Sequence, residues 1–431
     1  MQYSTFAAID IGSYDVILEI FEISKKQGIR SVDKICHRME LGKDTYTLGK
    51  IRPEMEEELC RVLADFVRIM EGYRVDDYRA TASSAISEAS NSLYVLGKIH
   101  QLTGLSVTVL SNSEQRFLSY KALAAMEDNF NKIIEKGTAI LDLDGGSFQI
   151  SLFDKDALVT TQNIRMGSLR IRERLAGIQS ETEHYEEMVE ELIWNEVSSF
   201  KKMYLKDRKI ENIMLIGDVF TDSVYQNIEE KTTKIISREN FNTWYEKIIR
   251  QSPMELAVKL GIPLENASLM YPSAVIYKCL IDMMGAEHIW IPGVHMTRGI
   301  AYEYAEQMKL LKGGHNFEND ILMAAKNIGK RYAVNRPHVQ NLEMTALAMF
   351  DATKKMHGMK ERERLLLQMA VMLHDVGKYI SFNNVADSSY NIIMSNEIIG
   401  LSHIEREMVA LIARYNTVTL PSYDELVMDR P

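Results

Sequence analysis

A chain of 431 residues with a formal net charge of −10 is too long for one compact core, and about three domains is the expectation. Its 46% hydrophobic and 26% charged residues are those of an ordinary globular protein. The acidic balance argues against nucleic acid as a partner, so a polyanionic ligand would have to be caught by local backbone donors and a few basic side chains. Cys36, Cys60 and Cys279 are far apart and form no CxxC pair, which excludes a disulfide framework or zinc ribbon and points to reduced thiols. No apolar stretch approaches the roughly 20 residues of a membrane span, and no basic, apolar leader opens the chain. A cytoplasmic location without membrane attachment is expected.

The first third alternates strand and helix signals. Residues 6–10 are a short apolar run, Gly12 and Ser13 a turn, and 16–21 a run rich in branched side chains, giving strand, tight turn, strand. Pro53 opens a helix in which Met55, Leu59, Val62, Leu63, Phe66, Val67 and Met70 recur at helical spacing, with Gly72 as its stop. A strand at 78–83, a helix at 93–102 ended by Gly104, a strand at 107–110 and a helix from Ser113 follow. A second unit begins after Gly137 with a strand at 138–142, a turn at 144–147 and a strand at 148–153. Long helical patterns then enclose isolated strands at 213–216, ending in Gly217, and 288–291. From about Asn316 only helical patterns remain, and the adjacent glycines of Lys312-Gly313-Gly314-His315 read as a linker. The expected domains are therefore 1–130, 131–311, whose terminal helix is free to pack on the first, and 312–431.

Ile9-Asp10-Ile11-Gly12-Ser13 and Leu141-Asp142-Leu143-Asp144-Gly145-Gly146-Ser147 echo one another as strand end, aspartate and glycine turn. Such a turn lets backbone N–H groups approach a phosphate closely, while an aspartate at the strand end can hold Mg²⁺ or its water. Two such turns facing across a cleft would grip a phosphate chain from both sides.

These two stretches, with 82–91 and 110–115 between them and 165–168, 285–293, Leu373-His374-Asp375-Val376-Gly377-Lys378 and 412–415 after them, together resemble the Ppx/GppA family. That family comprises exopolyphosphatases and guanosine pentaphosphate phosphohydrolases. The resemblance implies two α/β domains of the actin-like ATPase (ribonuclease H-like) fold, then a C-terminal all-α HD-like domain whose counterpart in the family usually continues further. It also implies Mg²⁺ and a polyphosphate or guanosine alarmone ligand, and it suggests a homodimer. Phosphate-binding positions carried over are Gly12, Ser13, Ser87, Gly145, Gly146, Ser147 and Gly217; metal positions are Asp10, Asp142 and Gln149.

Departures from the family pattern cluster at those positions. Tyr14 and Asp15 replace the Asn-Ser of D-x-G-S-N-S. Ser87 stands where the family has an arginine suited to a phosphate oxygen, so a charge-assisted contact is gone. Gln115 stands at the family's catalytic base glutamate, and an amide cannot take a proton from water at neutral pH. Asp144 replaces a glycine, Gln149 a metal-associated glutamate, and the usual G-G-T is reduced to Gly217-Asp218-Val219. Hydrolysis of the terminal phosphoanhydride is expected to be weak or lost. Two alternatives stand: a competent exopolyphosphatase whose base is re-formed from Glu114 or Asp144, and a non-catalytic nucleotide-sensing or interaction protein.

Each candidate has a plainer reading. Ser111-x-x-Glu114 has capping-box spacing, the favoured role for Glu114. Asp144 is either a cation ligand or base, or a turn aspartate. His338, His374 and Asp375 are the remnant of an HD metal pattern, but the downstream histidines are missing, with Asn416 in one such place. A packed, metal-free helical domain is the expectation there.

Overall fold

The computed structural model describes residues 4–126, 130–176, 185–227, 235–311, 315–416 and 418–422. Two compact units divide the chain, Met1–Ala157 with Gln162–His315, and Leu158–Thr161 with Asn316–Pro431. The linker residues 312–314 lie outside the described residues. No helix of the described residues is long and apolar enough to cross a membrane.

The strands between Ser4 and Trp290 form two mixed sheets. One is built from β1 (Ser4–Ile11), β2 (Asp15–Ser24), β3 (Gly28–Arg38), β4 (Asp77–Ala82) and β5 (Val107–Val109), in the order β3-β2-β1-β4-β5. The other contains β6 (Thr138–Leu143), β7 (Phe148–Asp154), β8 (Ala157–Ile164), β9 (Asn212–Ile216), β10 (Ile235–Ser237) and β11 (His288–Trp290), in the order β10-β11-β9-β6-β7-β8. The sequence echo is an echo of topology. β1 pairs antiparallel with β2 and parallel with β4, as β6 does with β7 and β9. Both hairpin turns close in the same way, Gly12 N donating to Asp15 O at 2.8 Å and Asp144 N to Ser147 O at 2.9 Å. This is the two-domain actin-like architecture.

Alternation along β1 explains its burial. Phe6 and Ala8 face the helix Met296–Gln307, where the Phe6 and Tyr304 rings stack at 4.1 Å; Ala7, Ile9 and Ile11 face the opposite core with Leu59, Leu63 and Phe66. Burying each of the larger side chains among them, such as Phe6, Ile9 and Ile11, contributes roughly 1.5–3 kcal/mol. Covered on both faces, β1 presents only its C-terminal end to a ligand, where Asp10 is the last residue but one.

Three details differ from the sequence reading. The helix Pro53–Tyr73 runs through Gly72, and Arg74 ends it in the left-handed region at φ 53°. β3 has no counterpart in the expected elements, because Arg30, Asp33, Lys34 and Arg38 break its apolar alternation on the open edge of the sheet. β8 and β10 were likewise not expected.

The second unit is helical, built mainly from Phe317–Arg331, Arg336–His357, Glu361–Leu373, Val385–Ser395 and His403–Arg414. Ile321, Phe350, Met369, Leu373, Ile393 and Val409 are buried in it.

Candidate active site

The facing ends of β1, β6 and β9 and the start of the helix Asn112–Met126 enclose a cavity of about 170 Å³, on the order of ten water sites. Its wall carries six aspartates, Asp10, Asp15, Asp142, Asp144, Asp218 and Asp222, against three permanent cations, Lys34, Arg38 and Arg116. Burial, and after it the charges of Asp15 and Asp144, hold the Asp10 carboxyl well above the usual carboxylate range. Burial also raises Asp15 against Arg38, which bonds its Oδ2 at 2.5 Å, and raises Asp142 against Arg116. Asp218 is pushed up to about 7 by burial, opposed by the hydrogen bond from Thr221 N at 3.1 Å.

Asp10 and Asp142 have equivalent places in the two sheets, and each keeps one buried oxygen, Asp10 Oδ1 and Asp142 Oδ2, without a hydrogen-bond partner among the described residues. Mg²⁺ is usually held by one or two carboxylates plus waters and phosphate oxygens. This donor pair, in a wall with surplus negative charge, fits such a cation. Gln149, the third expected ligand, does not join them. It sits opposite Asp142 in the β6–β7 register, is buried, gives its Nε2 to Ser151 Oγ at 3.2 Å, and lies outside the cavity lining.

The expected phosphate positions separate into two sets. Gly12, Gly145 and Gly217 line the cavity. Gly217 has φ +105° and abuts the Leu143 carbonyl, a place no side chain can take. Ser13, Gly146 and Ser147 lie behind the wall. The Ser13 hydroxyl is 2.7 Å from Tyr46 Oη, which is 2.9 Å from Ser84 Oγ, and Gly146 packs directly against both Tyr46 and Ser84. Arg170 stacks on Tyr46 at 3.9 Å, donates to Gly146 O at 2.9 Å and pairs with Glu88 at 3.0 Å. Here the turns meet through Tyr46 and do not flank an open groove. Ser87 is exposed, its hydroxyl donating only to Ser84 O at 3.4 Å, because the short helix Ser84–Ser87 turns that side chain away from the cavity.

Glu114 closes the capping box of its helix, accepting from Ser111 N at 2.9 Å and Ser111 Oγ at 2.8 Å, and does not line the cavity. Asp144 does. Its Oδ1 accepts from Gly145 N at 2.6 Å, and its Oδ2 from Gln115 Nε2 at 3.1 Å. A carboxylate has about four lone-pair sites, so Asp144 retains acceptor capacity for a water.

A Ppx/GppA phosphatase family model matches residues 20–308, and a model of Ppx/GppA phosphatase domain III matches 322–426. The chain belongs to the Ppx/GppA phosphatase family. Among its relatives, a bifunctional 3-dehydroquinate synthase/phosphatase from Fusobacterium nucleatum is 21% identical over 66% of this chain, which spans only 44% of that protein's length. A guanosine-5'-triphosphate,3'-diphosphate pyrophosphatase from Vibrio atlanticus is 18% identical over 97% of this chain and 82% of its own. An exopolyphosphatase structure from Cytophaga hutchinsonii aligns with TM-score 0.63 at 17% identity, over 70% of this chain and 98% of that one. The Aquifex aeolicus family member aligns with TM-score 0.59 at 17% identity, covering 71% and 99%.

Against the Ppx/GppA pattern, Asp15, Asp218, Asp222, Lys34, Arg38 and Arg116 on the cavity wall were missed as site residues in the sequence. Arg116 directly follows Gln115 and was not among the positions carried over from the family pattern. Asp15 and Asp218 were visible only as departures. In the helical unit, His338, His374 and Asp375 do come together, with ligand atoms within 4.8 Å of one another. Asn335 caps the helix that carries His338, His374 Nδ1 lies 2.8 Å from Val371 O, and Lys378 Nζ bonds Asp375 Oδ2 at 2.6 Å. That ammonium already neutralises the one carboxylate of the group.

Proposed function

We propose that this protein is a slow Ppx/GppA-type phosphohydrolase that removes the terminal phosphoryl group of a linear phosphoanhydride, polyphosphate or guanosine pentaphosphate, with Asp144 as the carboxylate that receives the proton of the attacking water. The observation that carries it is the Gln115–Asp144 hydrogen bond on the cavity wall. It holds an acidic oxygen beside the position where the family pattern places its base. Water held by Asp144 attacks the terminal phosphorus, the bridging P–O bond breaks, and inorganic phosphate leaves with the water's oxygen. Asp10 and Asp142 would hold Mg²⁺, which neutralises phosphoryl charge when bound. Gly12, Gly145 and Gly217 bring backbone close to the phosphate oxygens. A low rate follows from an exposed Ser87 in place of an arginine and a neutral, withdrawn Gln149. The three free thiols support a reducing, cytoplasmic setting.

The test is phosphate release from tripolyphosphate, long polyphosphate and guanosine pentaphosphate with Mg²⁺. Turnover below about 1 per second is expected, and Asp144→Asn should lower it about 100-fold or more. Undiminished turnover in Asp144→Asn refutes the assignment. The contact of the two turns through Tyr46 favours a second reading, ligand sensing without chemistry, in which cleft opening is the response. Calorimetric binding with no phosphate release would select it.

A further inference from the structure

We infer that Arg116 is a substrate-binding residue that contacts a non-bridging phosphoryl oxygen, supplying from the helix Asn112–Met126 the guanidinium missing at Ser87. The inference rests on the phosphohydrolase reading and adds a binding group to it. Arg116 is only 3% exposed, yet it is part of the cavity wall. Its Nη1 donates to Asp142 Oδ1 at 2.7 Å, and its Nη2 makes two long bonds to Ser147, 3.4 Å to the carbonyl and 3.3 Å to Oγ. Its Nε is buried with no acceptor among the described residues. Buried guanidinium donors usually find partners, and an orphaned one calls for an explanation.

The other cations on the wall cannot substitute for it. Lys34 and Arg38 lie on the exposed edge strand β3, and Arg38 is tied to Asp15 at 2.5 Å. Arg116 alone among the three is buried, one residue from Gln115 and bonded to Asp142. A phosphoryl group placed against Asp144 would therefore come within reach of a fork of N–H donors held rigid by Asp142. Charge-assisted contacts from such a fork are about twice as strong as neutral hydrogen bonds, and the planar geometry is specific to arginine. The long Ser147 bonds are the ones a phosphate oxygen would displace.

The experiment measures tripolyphosphate binding with Mg²⁺ by calorimetry in an Asp144→Asn background, so that turnover cannot distort it. Arg116→Gln, which keeps polarity without charge, should weaken the dissociation constant about 10- to 100-fold. Arg116→Lys, which keeps the charge without the fork, should fall between the two. A purely structural role predicts that both substitutions lower the thermal midpoint while leaving affinity unchanged, and that result overturns the inference. Affinity lowered equally by Lys and Gln overturns it too. Should Arg116→Gln fail to fold, Arg116→Lys alone decides, with unchanged affinity counting against the proposal. If the parent protein neither binds nor hydrolyses any phosphoanhydride, the phosphohydrolase reading itself fails, and Arg116 with it. Binding by the parent that is indifferent to Arg116 removes only Arg116.

Discussion

Gln115 Nε2 lies 3.1 Å from Asp144 Oδ2, and this bond joins two positions at which the chain departs from its family. We read the two departures as one exchange. A glutamate at 115 would face Asp144 across the same distance, and two carboxylates so close cannot both ionise near neutral pH. The amide at 115 is what permits a carboxylate at 144.

Restoring the glutamate alone should therefore harm the protein. Gln115→Glu is expected to lower turnover at pH 7 about tenfold or more, and to move the acidic limb of the pH–rate profile upward by a unit or more, since the pair must lose a shared proton before either member can act as base. Adding Asp144→Gly removes the repulsion and should bring turnover above that of the natural protein. Steady-state rates between pH 5 and 9 decide this, and a Gln115→Glu profile identical to the natural one refutes the exchange.

The cavity's raised carboxyls make stability fall with rising pH. Asp218, held up to about 7 by burial, binds its proton more tightly folded than unfolded. Its contribution is fully present below the ordinary carboxylate range and disappears as pH rises through about 7. Asp10, Asp15 and Asp142 shift in the same direction. Urea unfolding should show a loss of about 1–3 kcal/mol between pH 5 and 8. Asp218→Asn should flatten part of that slope.

The same charge surplus predicts cation-linked stability. At pH 8, millimolar Mg²⁺ should raise the thermal midpoint by several degrees without any phosphate present, because a ligand that binds only the folded state stabilises it by mass action. Asp10→Asn should abolish most of the shift. A midpoint indifferent to Mg²⁺ excludes the Asp10–Asp142 assignment.

Much of the scaffold was legible in the sequence, since it is written in local patterns. β1 and β6 are apolar runs ending in aspartate and a glycine turn, and the recurrence of that pattern announced two related sheets. β3 was hidden because its charges suit an edge strand and erase the alternation that marks a buried one. In the site, positions were legible and partnerships were not. Gln115 and Asp144 are 29 residues apart, and their bond exists only because a helix following one sheet meets a turn of the other. Arg116 went unnoticed because a basic residue on a helix ordinarily belongs to a solvated face. Only burial shows otherwise. Ser87 was assigned by its place in a motif, while its exposure is set by the direction in which one short helix points.

Glu114 provides the sharpest control on the choice of base. It is the carboxylate adjacent in sequence to the family's base position, yet its three hydrogen bonds with Ser111 belong to the helix start. Glu114→Gln preserves an acceptor at that position, so helix capping should lose only about 0.5–1 kcal/mol. Phosphate release should stay within about twofold of the natural protein, a change too small for the loss of a general base, which costs about a hundredfold or more. Asp144→Asn should show the larger loss. Were the two outcomes reversed, the proton would be going to Glu114, which would first have to leave Ser111, and the Gln115–Asp144 bond would be a turn contact without a part in the chemistry.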